Sequence, residues 1–161
     1  MNDDITRKQA MILFERGRRH QMKGELGDAI VLYRRSLEIQ RTAEAFTFLG
    51  WTYSLLDRYD EAISYCKKAI KVDPTYGNPY NDIGAYLIEQ KLWQEAIPWL
   101  DKAAEAKRYD SPQFPMMNLG RVYENIGQSQ KALNFYDRAL VIDPFYRSAI
   151  WAKYALLGRL S

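Results

Sequence analysis

Apolar residues recur along much of this chain at the three- and four-residue spacing of amphipathic helices. The segment DEAISYCKKAIKVDP, residues 60–74, places Cys66 and Ala69 on one face, puts charged residues on the other, and ends abruptly at Pro74. A near copy of this helix, SQKALNFYDRALVIDP, occupies residues 129–144. The pattern predicts helices and indicates that one helix type is used repeatedly.

The repetition extends over most of the chain. Four copies align on alanines that lie 33, 34 and 36 residues apart by subtraction: Ala29, Ala62, Ala96 and Ala132. Twelve residues before each alanine stands a glycine, and seven residues after it another small residue; these are Gly17, Gly50, Gly84, Gly120 and Ser36, Ala69, Ala103, Ala139. Two antiparallel helices approach closely only where the facing side chains are small. Each copy is therefore predicted to be a helix pair, with the glycine on the first helix.

Turn and proline positions agree with paired helices. Turns are predicted at residues 23–24, 56–57, 90–91 and 126–127. Pro79, Pro98 and Pro115 are expected in the first turn of a helix, where the missing N–H costs nothing. The prediction is eight paired helices and a ninth, from Phe145 to about Leu160.

The copies resemble the tetratricopeptide repeat. The second copy has the family's signature residues at Phe46, Leu49, Gly50, Tyr53, Tyr59, Ala62, Tyr65, Ala69 and Pro74, and the fourth at Met116, Leu119, Gly120, Tyr123, Gly127, Ala132, Tyr136, Ala139 and Pro144. The resemblance implies an all-α fold, a right-handed α-solenoid of antiparallel helix pairs. We predict a single domain over residues 1–161, with repeats at about 10–42, 43–76, 77–112 and 113–146 and a capping helix at about 145–160.

Two copies depart from the family pattern. In the first copy, the stripe that would meet a preceding repeat is Ile12, Arg16, Arg19 and Lys23, so this face is expected to meet water and to begin the stack. His20, in the same segment, is expected to be a half-buried substitute for a tyrosine. The third copy ends AKRYDSPQ, and its two extra residues leave the stacking of the fourth repeat open.

The resemblance also implies a binding surface, because in this family the first helices of the repeats line a concave groove. Twelve side chains are placed there: Phe14, Arg18, Phe48, Trp51, Asn78, Asn81, Asp82, Phe114, Met117, Asn118, Arg121 and Trp151. Trp51 and Phe48 are expected to form an apolar anchor site, with packing inside the superhelix as the alternative. The asparagines suit the backbone of an extended peptide, and Arg18 and Arg121 suit carboxylates.

One familiar ligand class is not expected in this groove. Members of the family that bind chaperone tails hold a terminal carboxylate with lysines and asparagines. Here Phe14 replaces the lysine of the first repeat, and Asp82 places a negative charge in the third. Binding to the acidic tails of heat-shock chaperones is therefore not predicted.

The last predicted helix is apolar around most of its circumference. Ile150, Tyr154 and Leu157 occupy places that would face a second helix, and none follows in the sequence. Either the rings lie on the fourth repeat as an ordinary end cap, or the helix docks against another copy or a partner.

Composition excludes several functions. The net charge of +3, from 23 basic and 20 acidic residues, is too small and too dispersed to indicate a nucleic-acid partner. No apolar run approaches the roughly 20 residues of a membrane span. Two aspartates stand near the start, where a secretory signal would be basic, so a cytoplasmic protein is expected.

Catalysis is not predicted either. With one histidine, one cysteine and no glycine-rich phosphate loop, the usual nucleophile, metal and nucleotide sites cannot be assembled, and no cofactor is expected. Two functions remain: a scaffold that binds a peptide or helix of another protein, and a homo-oligomeric assembly protein that uses the apolar last helix.

Overall fold

The structure is a computed structural model that describes residues 2–161. Over this range it contains nine helices: α1 Asn2–Met22, α2 Leu26–Ile39, α3 Ala43–Ser54, α4 Tyr59–Val72, α5 Asn78–Glu89, α6 Trp93–Glu105, α7 Gln113–Asn125, α8 Ser129–Ile142 and α9 Arg147–Leu160. The same residues contain no strand, only an isolated bridge between Tyr76 and Arg108. The prediction of an all-α fold is confirmed.

The helices pack in chain order. Each odd-numbered helix up to α7 packs most extensively on the helix that follows it, and each pair packs on the next. The first helices also touch one another, α3 on α5 and α5 on α7, so they form one side of the stack. A continuous core extends from Ala29 and Tyr33 in α2 to Leu119 and Val122 in α7. The molecule is therefore an α-solenoid, as predicted.

Each predicted turn has one residue in the left-handed backbone region. These are Gly24 (φ 79°), Asp57 (φ 59°), Lys91 (φ 61°) and Gly127 (φ 84°). A residue at this φ reverses the chain within a short connection and brings the second helix back along the first. The four turn predictions are confirmed.

The small residues lie where the paired helices touch. A Cβ atom added to Gly84 would lie 2.3 Å from a Leu100 methyl group, and one added to Gly120 would lie 2.3 Å from the Tyr136 ring. Ala62 and Ala132 are 0% exposed. Close helix approach therefore explains the recurrence of small residues in the sequence.

The first helix extends beyond the predicted first repeat. α1 begins at Asn2, eight residues before the predicted start of that repeat at about Ala10. All but one of residues 2–9 are exposed. Two aspartates in the first turn stabilise the helix through its dipole. Because the segment lacks a periodic pattern of apolar residues, the sequence does not indicate this extension.

Pro98 does not lie in a first turn, and that prediction was wrong. α6 begins at Trp93, so Pro98 is its sixth residue. A proline at this position removes the N–H that would donate to the carbonyl of Gln94. Pro98 is exposed, so water can hydrate the freed carbonyl on the outer face of the helix.

The extra residues of the third copy form a docked connection between α6 and α7. The Gly77 N–H donates to the Arg108 carbonyl at 3.0 Å, and the Arg108 N–H donates to the Thr75 carbonyl at 3.0 Å. The Tyr109 ring lies so close to Gly77 that a Cβ atom there would be 2.5 Å from it. The insertion is thus tied to the preceding interrepeat loop.

The Arg108 side chain extends this connection across the stack. Its guanidinium forms ion pairs with Asp73 at 2.8 Å and with Glu44 at 2.9 Å, and it lies 4.1 Å from the centre of the Tyr76 ring. Hydrogen bonds from Thr75 and, to a smaller extent, the Arg108 guanidinium hold the pKa of Asp73 below its usual value. One side chain therefore links α3 and the two interrepeat loops.

The predicted start of the stack is exposed. Ile12 is 59% exposed, and Arg16, Arg19 and Lys23 are also exposed. The equivalent face of α3 is buried at Leu49. No part of residues 2–161 therefore covers this face of α1.

Candidate functional site

Three concave pockets lie along the side of the stack formed by the first helices. The N-terminal pocket, about 380 Å³, includes Met11, Phe14 and Glu44. The central pocket has about 340 Å³ and lies among α3, α5 and α7. The C-terminal pocket, about 440 Å³, lies between α7 and α9 and includes Trp151.

The central pocket brings together half of the twelve groove residues proposed from the sequence. Its walls include Phe48, Trp51, Asn78, Asn81, Asp82 and Phe114. The α3 residues supply aromatic rings, and the α5 residues supply amides and a carboxylate. Apolar surface beside a few convergent polar groups is typical of a ligand-binding site.

An aromatic cluster connects the N-terminal and central pockets. The Phe14 and Phe48 rings meet edge to face at 5.3 Å between centroids, and Phe48 meets Trp51 at 5.7 Å. Phe14 and Phe48 are half-buried and pack against the main core, whereas Trp51 is 39% exposed. Packing inside the stack therefore occupies Phe14 and Phe48, and Trp51 presents a ring to the groove.

The asparagines form a polar row across the groove. Asn118 Nδ2 donates to Asn81 Oδ1 at 3.0 Å, and Arg121 Nη1 donates to Asn118 Oδ1 at 3.4 Å. Asn81 is only 8% exposed. Asn81 and Asn118 therefore use part of their hydrogen-bonding capacity on each other, whereas no side-chain hydrogen bond within residues 2–161 occupies the half-buried Asn78 at the start of α5.

Both groove arginines lie beside carboxylates. Arg18 is 3.3 Å from Glu15, and its guanidinium carbon lies 5.2 Å from the centre of the Phe48 ring. Arg121 is 3.6 Å from Glu89. Exposed ion pairs of this kind contribute about 0–1 kcal/mol, so a ligand carboxylate can replace the internal partner at small cost.

Asp82 is the most perturbed carboxylate in the groove. Its side chain is half-buried at the wall of the central pocket. Burial raises the pKa of this carboxyl to about 7, and no charge or hydrogen bond from residues 2–161 offsets that effect. A partly buried carboxylate without a countercharge is costly, and such groups are concentrated at functional sites.

Two tyrosines of the central pocket were not predicted from the sequence. Tyr86, on α5, and Tyr109, in the docked connection, both line the pocket, and burial raises the pKa of both phenols. The only sequence feature that pointed to Tyr109 was the insertion of two residues in the third copy. Tyr109 reaches the pocket because its ring packs against Gly77, a contact that the sequence does not reveal.

The C-terminal pocket contains three more of the groove residues proposed from the sequence: Met117, Arg121 and Trp151. Met117 is 9% exposed and packs in the core formed by α7, α8 and α9, so only its edge reaches the pocket. Arg121 and Trp151 complete the proposed residues here, and Trp151 is 77% exposed.

The outer face of α9 is uncovered. Tyr154 is 63% exposed and Leu157 is 39% exposed, while Ile150 is half-buried. The alternative in which the rings of this helix lie on the fourth repeat is wrong for Trp151 and Tyr154. Ala149 and Leu156 make the buried contact instead.

One cluster of possible metal ligands occurs in the described chain, and it lies outside the groove. His20, Glu25 and Asp28 bring one ligand atom each within 4.8 Å of one another at the turn between α1 and α2. His20 Nδ1 and Glu25 Oε2 are already 2.5 Å apart in a hydrogen bond. The histidine is half-buried, as expected, and its contact with Glu25 ties the turn together.

None of the helices of residues 2–161 combines the length and the hydropathy that a bilayer span requires. The cytoplasmic location stays a prediction.

Comparisons with known proteins agree with the repeating geometry. Two family models, both described as the tetratricopeptide repeat, match residues 43–76 and residues 114–146. Among similar sequences, anaphase-promoting complex subunit 3 of Schizosaccharomyces pombe is 27% identical over 123 residues, which are 76% of this chain. The match covers only 18% of that relative, so the chain corresponds to a small part of it.

Solved structures show the same architecture. A structure of PilF from Pseudomonas aeruginosa has a TM-score of 0.89 at 23% identity and covers 99% of this chain and 71% of that one. YrrB, described as a TPR protein with an unusual peptide-binding site, has a TM-score of 0.72 at 20% identity and covers 90% and 74%. The family matches assign residues 43–76 and 114–146 to the tetratricopeptide repeat, and the recurring helix pairs and these folds agree with that assignment.

Proposed function

We propose that the groove of this protein binds a peptide or helix of a partner protein. The family supports a protein–protein interaction scaffold in general. The observation that carries the finer proposal is the central pocket, where Trp51 and Phe114 stay 39% and 40% exposed beside polar side chains of α5. Exposed rings next to directional polar groups can anchor and orient a bound segment.

The descriptions of two similar proteins, which mention a protein complex and a peptide-binding site, support this proposal. The Schizosaccharomyces pombe relative is a subunit of a multiprotein complex, and the YrrB structure is described by its peptide-binding site. Burying one exposed ring contributes roughly 1.5–3 kcal/mol, and a transient complex of micromolar affinity needs about 8 kcal/mol. A few anchored side chains and backbone hydrogen bonds supply energy of that size.

A binding role without catalysis also fits the placement of the reactive side chains. His20 lies at the α1–α2 turn, hydrogen-bonded to Glu25 and outside the groove. Cys66 is fully buried, and burial raises the pKa of its thiol, which disfavours the reactive thiolate.

Affinity capture from the source cell, followed by mass spectrometry, tests the groove. The test variant combines Trp51→Ala, Asn78→Ala and Arg121→Glu, and a matched variant combines Lys71→Ala, Lys102→Ala and Arg138→Glu on exposed positions of the second helices. We expect the groove variant to lose partners that the matched variant keeps, with both retaining native circular dichroism. Equal retention of all partners would move the binding surface away from the groove.

A second function has its own supporting observation. The outer face of α9 leaves Tyr154 and Leu157 63% and 39% exposed, which favours a docking surface for another copy of the chain. Light scattering after size-exclusion chromatography tests this, with the pair Tyr154→Asp and Leu157→Asp as the variant. A chain that stays monomeric at high concentration would exclude self-association.

A further inference from the structure

The central pocket combines an acid with aromatic faces. Asp82 lies in its wall together with Tyr86, Tyr109 and Phe114, and Trp51 closes the α3 side. No cation of residues 2–161 forms an ion pair with Asp82, although eight ion pairs of lysine or arginine occur across the same residues. The pocket therefore has an uncompensated negative charge beside π surfaces.

The groups that face Asp82 from the packed elements do not neutralise it. They are the Cys66 thiol of α4, the Tyr86 phenol of α5, and the Tyr76 and Tyr109 phenols of the connecting loops. All four are neutral at pH 7 because burial raises their pKa values.

The two arginines that act on the neighbouring Tyr76 are engaged elsewhere. Arg18 and Arg108 both act on Tyr76, but Arg18 bonds to Glu15, and Arg108 pairs with Asp73 and Glu44. Internal packing therefore leaves the Asp82 charge without a partner.

Resting on the proposed groove function, we propose that the central pocket binds a lysine or arginine side chain of the partner segment, with Asp82 as its countercharge. A cation beside a carboxylate and over a ring face is stabilised by both groups, more strongly where water is excluded. An acidic or phosphorylated residue would instead meet repulsion from Asp82.

The side chains at the rim suit a segment that places a basic residue inward. Trp51 and Phe114 can cover the aliphatic stem of a lysine or the flat face of a guanidinium. Asn78 lies on the same wall and can donate to and accept from the backbone of the segment.

The first test uses two small probes and NMR of the full ¹⁵N-labelled chain. The probes are N-acetyl-arginine-N-methylamide and its citrulline counterpart, which keeps the shape and removes the charge. At pH 8 the arginine probe should shift the Trp51 indole N–H resonance and the amides around Asp82, with an apparent affinity at least fivefold above that of citrulline. Equal responses to both probes would overturn the inference.

Variants and pH sharpen the test. Asp82→Asn should reduce arginine binding at least fivefold, while Glu95→Gln, which removes an exposed carboxylate of α6 outside the pocket, should leave it unchanged. Because the pKa of Asp82 is about 7, lowering the pH from 8 to 6 should weaken binding several-fold in the wild type and not in Asp82→Asn. Full binding by Asp82→Asn would show that its charge is not used.

A random peptide library displayed against the intact chain separates this inference from the proposed function. Enriched peptides should carry a basic residue, and that preference should disappear with Asp82→Asn. Enriched peptides without a basic residue would preserve the groove function and overturn the inference alone. A library with no enriched peptide would count against both.

Discussion

The close packing of α7 on α8 requires the absence of a side chain at Gly120, which contacts the Tyr136 ring. The Tyr136 ring is 1% exposed, and its hydroxyl donates to Glu124 at 2.5 Å, so the ring cannot move without losing a buried contact. Gly120→Ala should therefore lower the free energy of unfolding by about 1–3 kcal/mol through overpacking. Urea unfolding followed by circular dichroism measures this change.

The matched control for Gly120 is Gly27, a helical glycine of α2 with no atom within 4 Å of an added Cβ. Gly27→Ala should be neutral or stabilise the chain by up to about 1 kcal/mol, since alanine favours the helix. A Gly120→Ala protein as stable as Gly27→Ala would mean that the helices separate without cost.

Asp82 makes stability depend on pH in an unusual direction. Its pKa is about 7 in the folded chain, above the ordinary carboxyl value near 4, so the folded state binds more protons between these pH values. The carboxylate therefore costs stability as the pH rises from about 4 to 7. Asp82→Asn should stabilise the free protein by about 1–3 kcal/mol at pH 8, allowing for its partial exposure, and by little at pH 4.

The measurement is the difference in unfolding free energy between wild type and Asp82→Asn across this pH range. Asn78→Ala, which removes no titratable group from the same helix, is the control. A difference that stays constant from pH 4 to pH 8 would contradict an ionisation of Asp82 near neutral pH.

Among the connections between helices, the docked segment between α6 and α7 should make a measurable contribution to stability. Arg108→Ala removes two ion pairs and the contact with Tyr76, and should lower stability by about 1 kcal/mol because these groups form a network. Lys107→Ala, at an exposed neighbouring position, should change it by less than about 0.5 kcal/mol. Thermal unfolding of the two variants side by side measures the difference, and equal melting temperatures would contradict the network.

The elements that could be predicted share one property: the residues that indicate them lie close together in the sequence. The helix pairs were predictable because glycine, alanine and turn residues recur at fixed spacing. The extension of α1 over residues 2–9 was missed because polar, exposed residues leave no periodic trace. The position of Pro98 within α6 was misjudged because an exposed proline is tolerated inside a helix when water can reach the freed carbonyl.

At the scale of the whole molecule, the groove was predictable only in part. The repeat register identified which residues face the same side, including Trp51 and Asp82. The mutual hydrogen bond of Asn81 and Asn118, the burial of Met117 and the entry of Tyr109 into the pocket all depend on contacts between different repeats. Such contacts follow from the stacking geometry, which no single repeat specifies.

The same dependence between neighbours predicts how the stack fails. α9 covers α8 through Ala149 and Leu156, and Arg159 forms an ion pair with Glu124 of α7. Deleting residues 147–161 should therefore lower the protection of α7 and α8 amides from hydrogen exchange by at least tenfold. The amides of α3 and α4 should stay protected, because each repeat is stabilised mainly by its nearest neighbours. Deleting residues 2–8, nearly all exposed, is the control and should leave α7 and α8 unchanged. Hydrogen exchange with mass spectrometry resolves the helices, and a uniform loss of protection from α3 to α8 would mean that the chain unfolds as one cooperative unit.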